Sequence, residues 1–292
     1  MKIITRIKGG LGNQLFCYAA ARRMAVVNNL PLKLDIVSGF KWDSHFKRRY
    51  LLNAFNIEAE VANRRESHTY PGGRIYRYLK KKVNALKAFE NRSYLVEQSI
   101  TSFDPKILTI KPKKTLYLDG YWHSEKYFKD IEDVIRDDLT IHSPRDGALL
   151  DEANHIIQEK NSVCMGIRLF QDVHQSGVYM VLSRDYYLRA AKKINELLDN
   201  PHYFVFCNDE AWMKQHLRFP YQHTFITAKP EDERAHEDLW LMTLCKHFII
   251  SNSTYYWWGA WLANNEHKLV IAPDRGFHSE DIIPDDWLTI NT

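Results

Sequence analysis

The sequence lacks the features that would anchor it in a membrane or cross-link it. It has no run of about 18 apolar residues, so no segment is expected to span a bilayer. Residues 1–8 carry charge inside their apolar stretch, which is atypical of a signal peptide. The cysteines lie far apart and form no Cys-x-x-Cys pair, which predicts reduced core thiols in a cytoplasmic protein. These cysteines are Cys17, Cys164, Cys207 and Cys245.

Several catalytic signatures are also missing. The chain contains no Asp-x-Asp, the metal-binding carboxylate pair of many sugar-nucleotide enzymes, and no His-x-His or His-Glu-x-x-His zinc motif. It has no Gly-x-Ser-x-Gly nucleophile turn. We therefore predict no resident metal and no cofactor. Any anionic ligand would have to be neutralised by side chains and helix ends.

Charge is present but unevenly distributed. The 292 residues contain 40 Lys+Arg and 36 Asp+Glu, a formal net charge of +4. Residues 1–92 hold 19 basic and 6 acidic side chains (+13), and residues 93–292 hold 21 and 30 (−9). The segment Arg64–Arg92 has nine basic residues against Glu66 and Glu90. Such a division of charge favours two domains with different binding partners.

The order of predicted elements indicates the fold class. A strand at residues 3–7, a glycine-rich loop, a helix at 13–28 and a strand at 31–35 form the opening of a doubly wound α/β domain. Strands and helices alternate again between residues 163 and 272. Turn residues at 143–147 separate the two regions. We predict two α/β domains, 1–143 and 144–292, facing a central cleft, with a last helix packing back on the first domain.

The glycine-rich loop is the first candidate site. Gly10 and Gly12 would let the backbone approach a phosphate or sugar, and the next helix would offer N–H donors. No Gly-Lys-Ser/Thr follows, so the loop is not a Walker A motif. Leu15 replaces the third glycine of a dinucleotide fingerprint, whereas Asp35 has the spacing of its ribose-binding acid. An NAD(P)-dependent oxidoreductase is therefore one alternative.

Polar residues follow several predicted strands of the second domain. Arg168 follows the strand at 163–167, where a guanidinium can hold a pyrophosphate, and Asp172 comes shortly after it. Asn208 and Asp209 follow the strand at 203–207. They would either bind a base or ribose or cap the next helix.

The turn at residues 251–254 is the strongest single feature. Asn252, Ser253 and Thr254 lie between an apolar strand and an aromatic helix, and such a turn is typical of an anion site. We expect the indoles of that helix to pack in the core. Asp238, one helix upstream, would either reach the same crevice or lie on a solvated face.

Four segments together resemble the α-1,2-fucosyltransferase family, a bacterial type of glycosyltransferase family 11. They are Gly9–Phe16, Gly120–Phe128, Asn208–Trp212 and Leu241–Leu262. The resemblance implies a GT-B fold, GDP-fucose as donor, a galactose-terminated acceptor, inversion at the anomeric carbon and no required metal. A non-catalytic glycan-binding descendant of such an enzyme is a further alternative.

Members of that family hold the donor pyrophosphate with a His-x-Arg-Arg-x-Asp segment. The present chain keeps the first arginine as Arg168 but has Gly166, Leu169 and Gln171 at the histidine, second arginine and aspartate. Arg168 and the turn at 252–254 would then stabilise the charge of the departing GDP.

Two further roles follow from the resemblance. Asn13 and Gln14 are expected to contact fucose or the acceptor. The general base that deprotonates the acceptor's 2-hydroxyl is one of three candidates, Asp35, His123 and Asp172.

The basic segment Arg64–Arg92 suggests a partner of its own. We predict a peripheral contact with the anionic inner membrane face, where lipid-linked glycans would be presented, and no nucleic acid partner. A solvated helix face is an equally good interpretation.

Overall fold

A computed structural model describes residues 1–41, 43–44, 46–141, 147–172, 177–227 and 234–292. The chain forms two compact units, Met1–Thr140 with His278–Pro284 and Ile141–Phe277 with Asp285–Thr292. The predicted boundary between residues 143 and 144 lies outside the described residues. The predicted last helix is wrong, because the segment that joins the first unit, His278–Pro284, is not helical.

The first unit is built on a five-stranded parallel sheet in the order β3-β2-β1-β5-β4. Its strands are β1 (Ile3–Arg6), β2 (Leu32–Asp35), β3 (Glu60–Val61), β4 (Tyr94–Val96) and β5 (Leu116–Asp119). Its helices are α1 (Leu11–Val27), α2 (Gly73–Ala85) and α3 (Glu132–Asp138). Short 3-10 turns lie at Leu52–Ala54, Phe89–Asn91, Pro105–Thr109, Glu125–Tyr127 and Lys129–Ile131.

Helix α1 is the core helix of this unit. Leu15, Phe16 and Tyr18 are fully buried, and apolar side chains cover most of the helix circumference. A helix that is apolar on nearly all sides is stable only when protein surrounds it, so α1 fixes the position of the glycine loop before it.

The second unit is built on a six-stranded parallel sheet and an antiparallel hairpin. The sheet strands are β6 (Ser162–Gly166), β9 (His202–Cys207), β10 (His223–Thr227), β11 (His247–Ile250), β12 (Val270–Pro273) and β13 (Leu288–Ile290). The hairpin pairs β7 (Leu169–Asp172) with β8 (Gly177–Met180). The helices are α4 (Gly147–Gln158), α5 (Arg184–Leu197), α6 (Glu210–His216), α7 (Ala235–Leu244) and α8 (Thr254–Leu262).

The strand order of the second sheet is β10-β9-β6-β11-β12-β13. Counted along the chain within this sheet, that is the 3-2-1-4-5-6 order of a Rossmann domain. After β6, the chain adds β9 and β10 on one side of the sheet. It then adds β11, β12 and β13 on the other side. The order therefore reverses between β6 and β11, where ligands bind in open α/β sheets.

Side-chain burial agrees with the predicted packing of the aromatic helix. Trp257 and Trp258 are fully buried and Trp261 nearly so. All four cysteines are buried and free, as the sequence predicts. Among the described helices, none combines the length and apolar character needed to cross a bilayer.

Candidate functional site

The carboxyl edge of the second sheet brings together two of the predicted donor-binding segments. Arg168 follows β6, and the turn at 252–254 follows β11, its hydrogen-bonded neighbour in the sheet. The backbone N–H of Ser251 donates to the carbonyl of Gly166 (3.1 Å), so the two strand ends stay in register. Both segments therefore flank the point where the strand order reverses.

Gly166 and Tyr256 explain why the chain departs from the His-x-Arg-Arg-x-Asp pattern. A Cβ atom at Gly166 would lie 2.4 Å from Cγ of Tyr256, so the tyrosine ring occupies the space of a side chain. The Tyr256 hydroxyl reaches the carbonyls of Ile167 (3.0 Å) and Phe206 (3.1 Å). Leu169 is buried in the core cluster of this unit. Packing has thus replaced two polar positions of the pattern, and Arg168 remains.

The turn after β11 places polar side chains at the N-terminus of the following helix, α8. The Asn252 side-chain amide donates to the Gly276 carbonyl (3.0 Å), while its buried Oδ1 accepts no hydrogen bond from the part of the chain that the structure describes. Ser253, the N-cap of α8, makes no side-chain capping bond to the described residues, and the first turn of α8 holds no acidic residue. An open helix N-terminus of this kind favours an anion.

Asn208 and Asp209 lie at the end of β9, on the same edge of the sheet. Asp209 caps α6, since its Oδ1 accepts the backbone N–H of Trp212 (2.9 Å). Asn208 is exposed. Capping therefore accounts for Asp209, whereas donor binding by either residue stays a prediction.

Asp238 lies in the first turn of α7 and is largely buried. Burial, and then the nearby Asp238 carboxylate, raise the pKa of Tyr255. Because α7 leads into β11, its N-terminus lies at the carboxyl edge of the sheet, where the sequence predicts Asp238.

Two predicted positions are only partly described. Asp172 and Gln171 lie on β7 of the hairpin, but their side chains are outside the described part of the structure. The base role of Asp172 therefore stays a prediction.

The first unit has its own reversal of strand order, between β1 and β5. Gly10 lies in the loop after β1, Gly12 lies in the first turn of α1, and His123 follows β5. The two loops meet, since Nε2 of His123 lies 3.0 Å from Oδ1 of Asn13. Gly9 has a left-handed φ of +78°, and a Cβ atom there would lie 2.7 Å from Nδ2 of Asn13. The loop thus needs glycine to hold Asn13 against His123.

His123 is not suited to the base role that the resemblance implies. Its imidazole is buried between Phe16 and Tyr121, and its Nε2 is taken by Asn13. Burial, followed by the charges of His278 and Lys8, lowers the pKa of His123 to about 3. Such a weakly basic ring does not readily take the acceptor's proton, so the base role of His123 stays a prediction that burial disfavours. The ring instead positions Asn13.

The structure gives Asp35 a structural role, and its predicted roles in binding ribose or as a base stay predictions that burial disfavours. Asp35 is fully buried at the end of β2. Its carboxylate accepts the backbone N–H groups of Val37 (3.1 Å) and Ser38 (2.9 Å) and the hydroxyls of Ser38 and Tyr117. With its lone pairs used and no access to solvent, Asp35 holds the loop after β2 in place.

Gln14 likewise has a structural role in the first unit. It is fully buried, and its amide donates to the carbonyls of Gly9 (2.9 Å) and Arg49 (2.8 Å). Its Oε1 accepts the N–H of Leu51 (2.9 Å). The side chain therefore joins the glycine loop to the segment near residue 50, and its contact with fucose or the acceptor stays a prediction.

A charged cluster at the carboxyl edge of the first sheet was not predicted. Asp119, at the end of β5, pairs with Arg6 (3.3 Å) and Lys8 (3.2 Å). Burial alone would raise the pKa of Asp119, but Lys8, Arg6 and Lys81 together lower it. Lys8 also lies over the ring of Tyr121 (4.4 Å). The sequence signal that could have predicted this cluster is the position of Arg6 and Asp119 at the ends of their strands.

One group in the described part of the chain could hold a metal ion. His155 on α4, Glu159 directly after α4 and His202 on β9 place their ligand atoms within 4.8 Å of one another. His202 already contacts Glu159 (2.8 Å) and Thr224 (2.9 Å). Because β9 begins at His202, the group lies at the edge opposite Arg168. The prediction that the donor site needs no metal is not tested by it.

Comparison with characterised proteins identifies relatives along the whole chain. An alpha-1,2-colitosyltransferase from Escherichia coli is 28% identical over 298 residues, covering 99% of this chain and 98% of the relative. The O-antigen biosynthesis glycosyltransferase WbnK from Escherichia coli is 27% identical, covering 97% and 99%.

The fold is shared with a solved fucosyltransferase. NodZ from Bradyrhizobium matches with a TM-score of 0.51 and 14% identity, covering 88% of this chain and 91% of NodZ. At this identity the match concerns the fold, and it confirms the prediction of a GT-B protein with two Rossmann-like domains.

The sequence model of glycosyl transferase family 11 matches residues 2–291. This match removes the oxidoreductase alternative that the glycine loop and Asp35 suggested. The resemblance drawn from the four sequence segments is confirmed at the level of the family. The chain therefore belongs to glycosyl transferase family 11 and is a glycosyltransferase.

Proposed function

We propose that the protein transfers L-fucose from GDP-fucose to the 2-hydroxyl of a terminal β-galactoside, with inversion, to form an α-1,2 linkage. The observation that carries this proposal is the pairing of Arg168 with the open turn at 252–254 on either side of the strand-order reversal. A guanidinium and a helix N-terminus in that position suit a pyrophosphate leaving group. The solved relative NodZ, an alpha-1,6-fucosyltransferase, was soaked with GDP-fucose.

A colitosyl donor is the second candidate, because a relative of 28% identity is an alpha-1,2-colitosyltransferase. Colitose differs from fucose by the absence of one ring hydroxyl. A site that hydrogen-bonds that hydroxyl would discriminate strongly against colitose, by a factor of about 10⁴, whereas an apolar site would discriminate weakly.

The acceptor's proton needs a base. Of the three candidates, Asp35 and His123 are buried and occupied by hydrogen bonds. We therefore assign the base role to Asp172, on the strand β7 that directly follows Arg168. The carboxylate would take the 2-hydroxyl proton while Arg168 and the α8 N-terminus stabilise the GDP that leaves.

We further propose that the reaction needs no metal and takes place in the cytoplasm on a galactose-terminated oligosaccharide, including lipid-linked ones. The four buried, unpaired thiols support a reducing compartment. The relative named for O-antigen biosynthesis supports an acceptor of that type.

The deciding experiment is turnover of GDP-fucose and GDP-colitose against a panel of β-galactosides, with the product linkage read by NMR. The proposal expects an α-1,2 product from GDP-fucose, with higher kcat/KM than from GDP-colitose. A kcat/KM ratio in favour of GDP-colitose would replace fucose by colitose. GDP binding without transfer to any acceptor would contradict both.

A further inference from the structure

Helix α2 has its polar and apolar sides exchanged relative to an ordinary surface helix. The residues that it buries are Gly73, Arg77 and Asn84. The residues that it exposes include Ile75 (67%), Leu79 (54%) and the following Leu86 (89%). A surface helix of a globular protein normally turns its apolar stripe inward, so the outward orientation of the apolar residues of α2 requires an explanation.

Polar contacts hold the helix in this orientation. Oδ1 of Asn84 accepts the backbone N–H groups of Ser93 (2.8 Å) and Tyr94 (3.2 Å), which lead into β4. Arg77 donates to the hydroxyl of Ser38 (2.9 Å). Because buried polar groups that lose their partners are costly, the helix cannot simply roll its apolar side inward.

The exposed side is continuous along the helix. At about 100° per residue, Ile75, Leu79, Val83 and Leu86 fall within an arc of about 80°. Val83 and the neighbouring Tyr78 are more than half exposed. An exposed apolar stripe of this length marks an interaction surface.

Positive charge borders the stripe on both sides, and residues 73–87 contain no acidic side chain. The basic residues are Arg74, Arg77, Lys80, Lys81, Lys82 and Lys87. Of these, Arg77 is buried and Lys81 pairs with Asp119. Lysines and arginines beside an apolar face are typical of helices that lie in a lipid interface. A second copy of this face would bring like charges together, which disfavours self-association.

A cavity of about 840 Å³ opens beside the helix. Tyr76 and Lys80 of α2 line it together with Arg65, His68 and Lys114. Glu66 also lines the cavity, and its carboxylate is paired with Lys2 and Lys33. Burial, and then Lys87, lower the pKa of Lys80, which therefore gains from a nearby anion. The cavity could accept an anionic headgroup next to the stripe.

We propose that α2 binds a bilayer containing anionic phospholipid, with the apolar stripe inserted below the headgroups and the bordering lysines among them. This places the first unit at a membrane surface. The inference does not depend on which sugar the protein transfers.

The test is co-sedimentation of the whole protein with phosphatidylglycerol-containing vesicles and with phosphatidylcholine vesicles, at low and high salt. The proposal expects binding to the anionic vesicles that weakens as salt rises. The double variant Leu79→Ser, Leu86→Ser should bind the anionic vesicles about tenfold or more weakly. Lys82→Gln and Lys87→Gln should each weaken it about fivefold and flatten the salt dependence.

A matched control is available in the second unit. Ile157 (53% exposed) and Leu197 (47%) are apolar, helical and outside α2. Ile157→Ser with Leu197→Ser should leave vesicle binding unchanged. Circular dichroism and turnover of a water-soluble acceptor should match the unmodified protein for all variants, which separates membrane binding from folding and catalysis.

Three results would overturn the proposal. They are no binding to anionic vesicles at low salt, equal binding by the Leu79/Leu86 variant and the control, and concentration-dependent dimerisation that the Leu79/Leu86 substitutions abolish without any vesicle binding.

Discussion

At the residue scale, the proposed donor site has one arginine where the family pattern has two. Leu169 is buried in the core and Gly166 leaves room for Tyr256, so neither supplies charge. In the proposed reaction, Arg168 and the α8 N-terminus are left to balance the charge of the departing GDP. Each should therefore contribute more than it would in a site with two arginines.

Arg168→Ala should lower kcat by about 10²–10³ if the guanidinium stabilises developing charge as oxyanion donors do. Arg168→Lys should recover only part of the loss, because an ammonium group lacks the bidentate fork. Steady-state kinetics with GDP-fucose measure both. Arg189→Ala, an exposed arginine of α5, is the control and should be unchanged. A fall of less than threefold for Arg168→Ala would contradict the assignment.

Gly166 should tolerate no side chain while Tyr256 is present. Gly166→Ala places a Cβ atom against the tyrosine ring and should cost about 1–3 kcal/mol of unfolding free energy. Tyr256→Leu in the same chain should recover part of this cost. Gly147→Ala is the control, since no described atom lies within 4 Å of a Cβ atom there. Urea denaturation measures all three, and equal stability of the two alanine variants would contradict the packing argument.

His123 should make the protein less stable in mild acid. Its pKa is lowered to about 3 in the fold, against about 6.5 in the unfolded chain. Stability is therefore fully present above pH 6.5 and is lost as the pH falls toward 3. Between pH 6.5 and 5 the expected loss is about 2 kcal/mol.

Denaturant unfolding of the His123→Gln variant at several pH values measures this loss, and the variant should show a flatter dependence. The exposed His267→Gln should follow the unmodified protein. A slope that survives His123→Gln unchanged would assign the effect to other groups.

At the element scale, the loops after parallel strands carry the candidate site. Each α/β connection places polar residues at one edge of its sheet, and the two central connections of each sheet lie at its reversal point. Helix caps compete with ligand binding for the same residue types there, as Asp209 shows.

Asp209→Ala should separate capping from donor binding. Loss of the cap alone should lower the unfolding free energy by about 1 kcal/mol and leave the donor KM unchanged. Asp209→Asn should keep most of the stability, since asparagine also caps helices well. Thermal melts and donor kinetics measure the two effects. A large rise in KM for both variants would instead establish Asp209 as a donor contact.

At the scale of the whole molecule, each unit has its own sheet, its own reversal point and a different charge. The first unit has the basic helix α2 and the Asp119 cluster, and the second has Arg168 and the α8 N-terminus. Net charge therefore does not identify the nucleotide site, because the basic excess lies in the first 92 residues and Arg168 lies outside them.

GDP should stabilise the protein against heat without any metal. At 100 times its dissociation constant, a ligand that binds only the folded state adds about 2.7 kcal/mol. We expect the same rise in Tm with GDP in EDTA as in Mg²⁺, and no rise with NAD. Scanning fluorimetry measures the change in Tm with each ligand. A shift that EDTA abolishes would show that the site needs a metal.

Much of the architecture was predictable because apolar periodicity and strand-end chemistry are local. The predicted strand at residues 116–119 matches β5, and Ser183 caps α5 through the N–H of Tyr186. The β7–β8 hairpin and β13 were not predicted. The strands β7 and β8 have four residues each and β13 has three, and segments this short carry too few residues to show a periodic apolar pattern.

The sequence by itself determined the family, the two α/β regions and the segments that end at each sheet edge, because those features depend on residue type and local order. The tertiary structure decided which polar side chains are accessible to a ligand. Asp35, Gln14 and His123 have suitable chemistry, yet packing from distant parts of the chain buries them and occupies their hydrogen bonds. The orientation of α2 was decided in the same way, since its apolar face is exposed only because Arg77 and Asn84 find partners inside the fold.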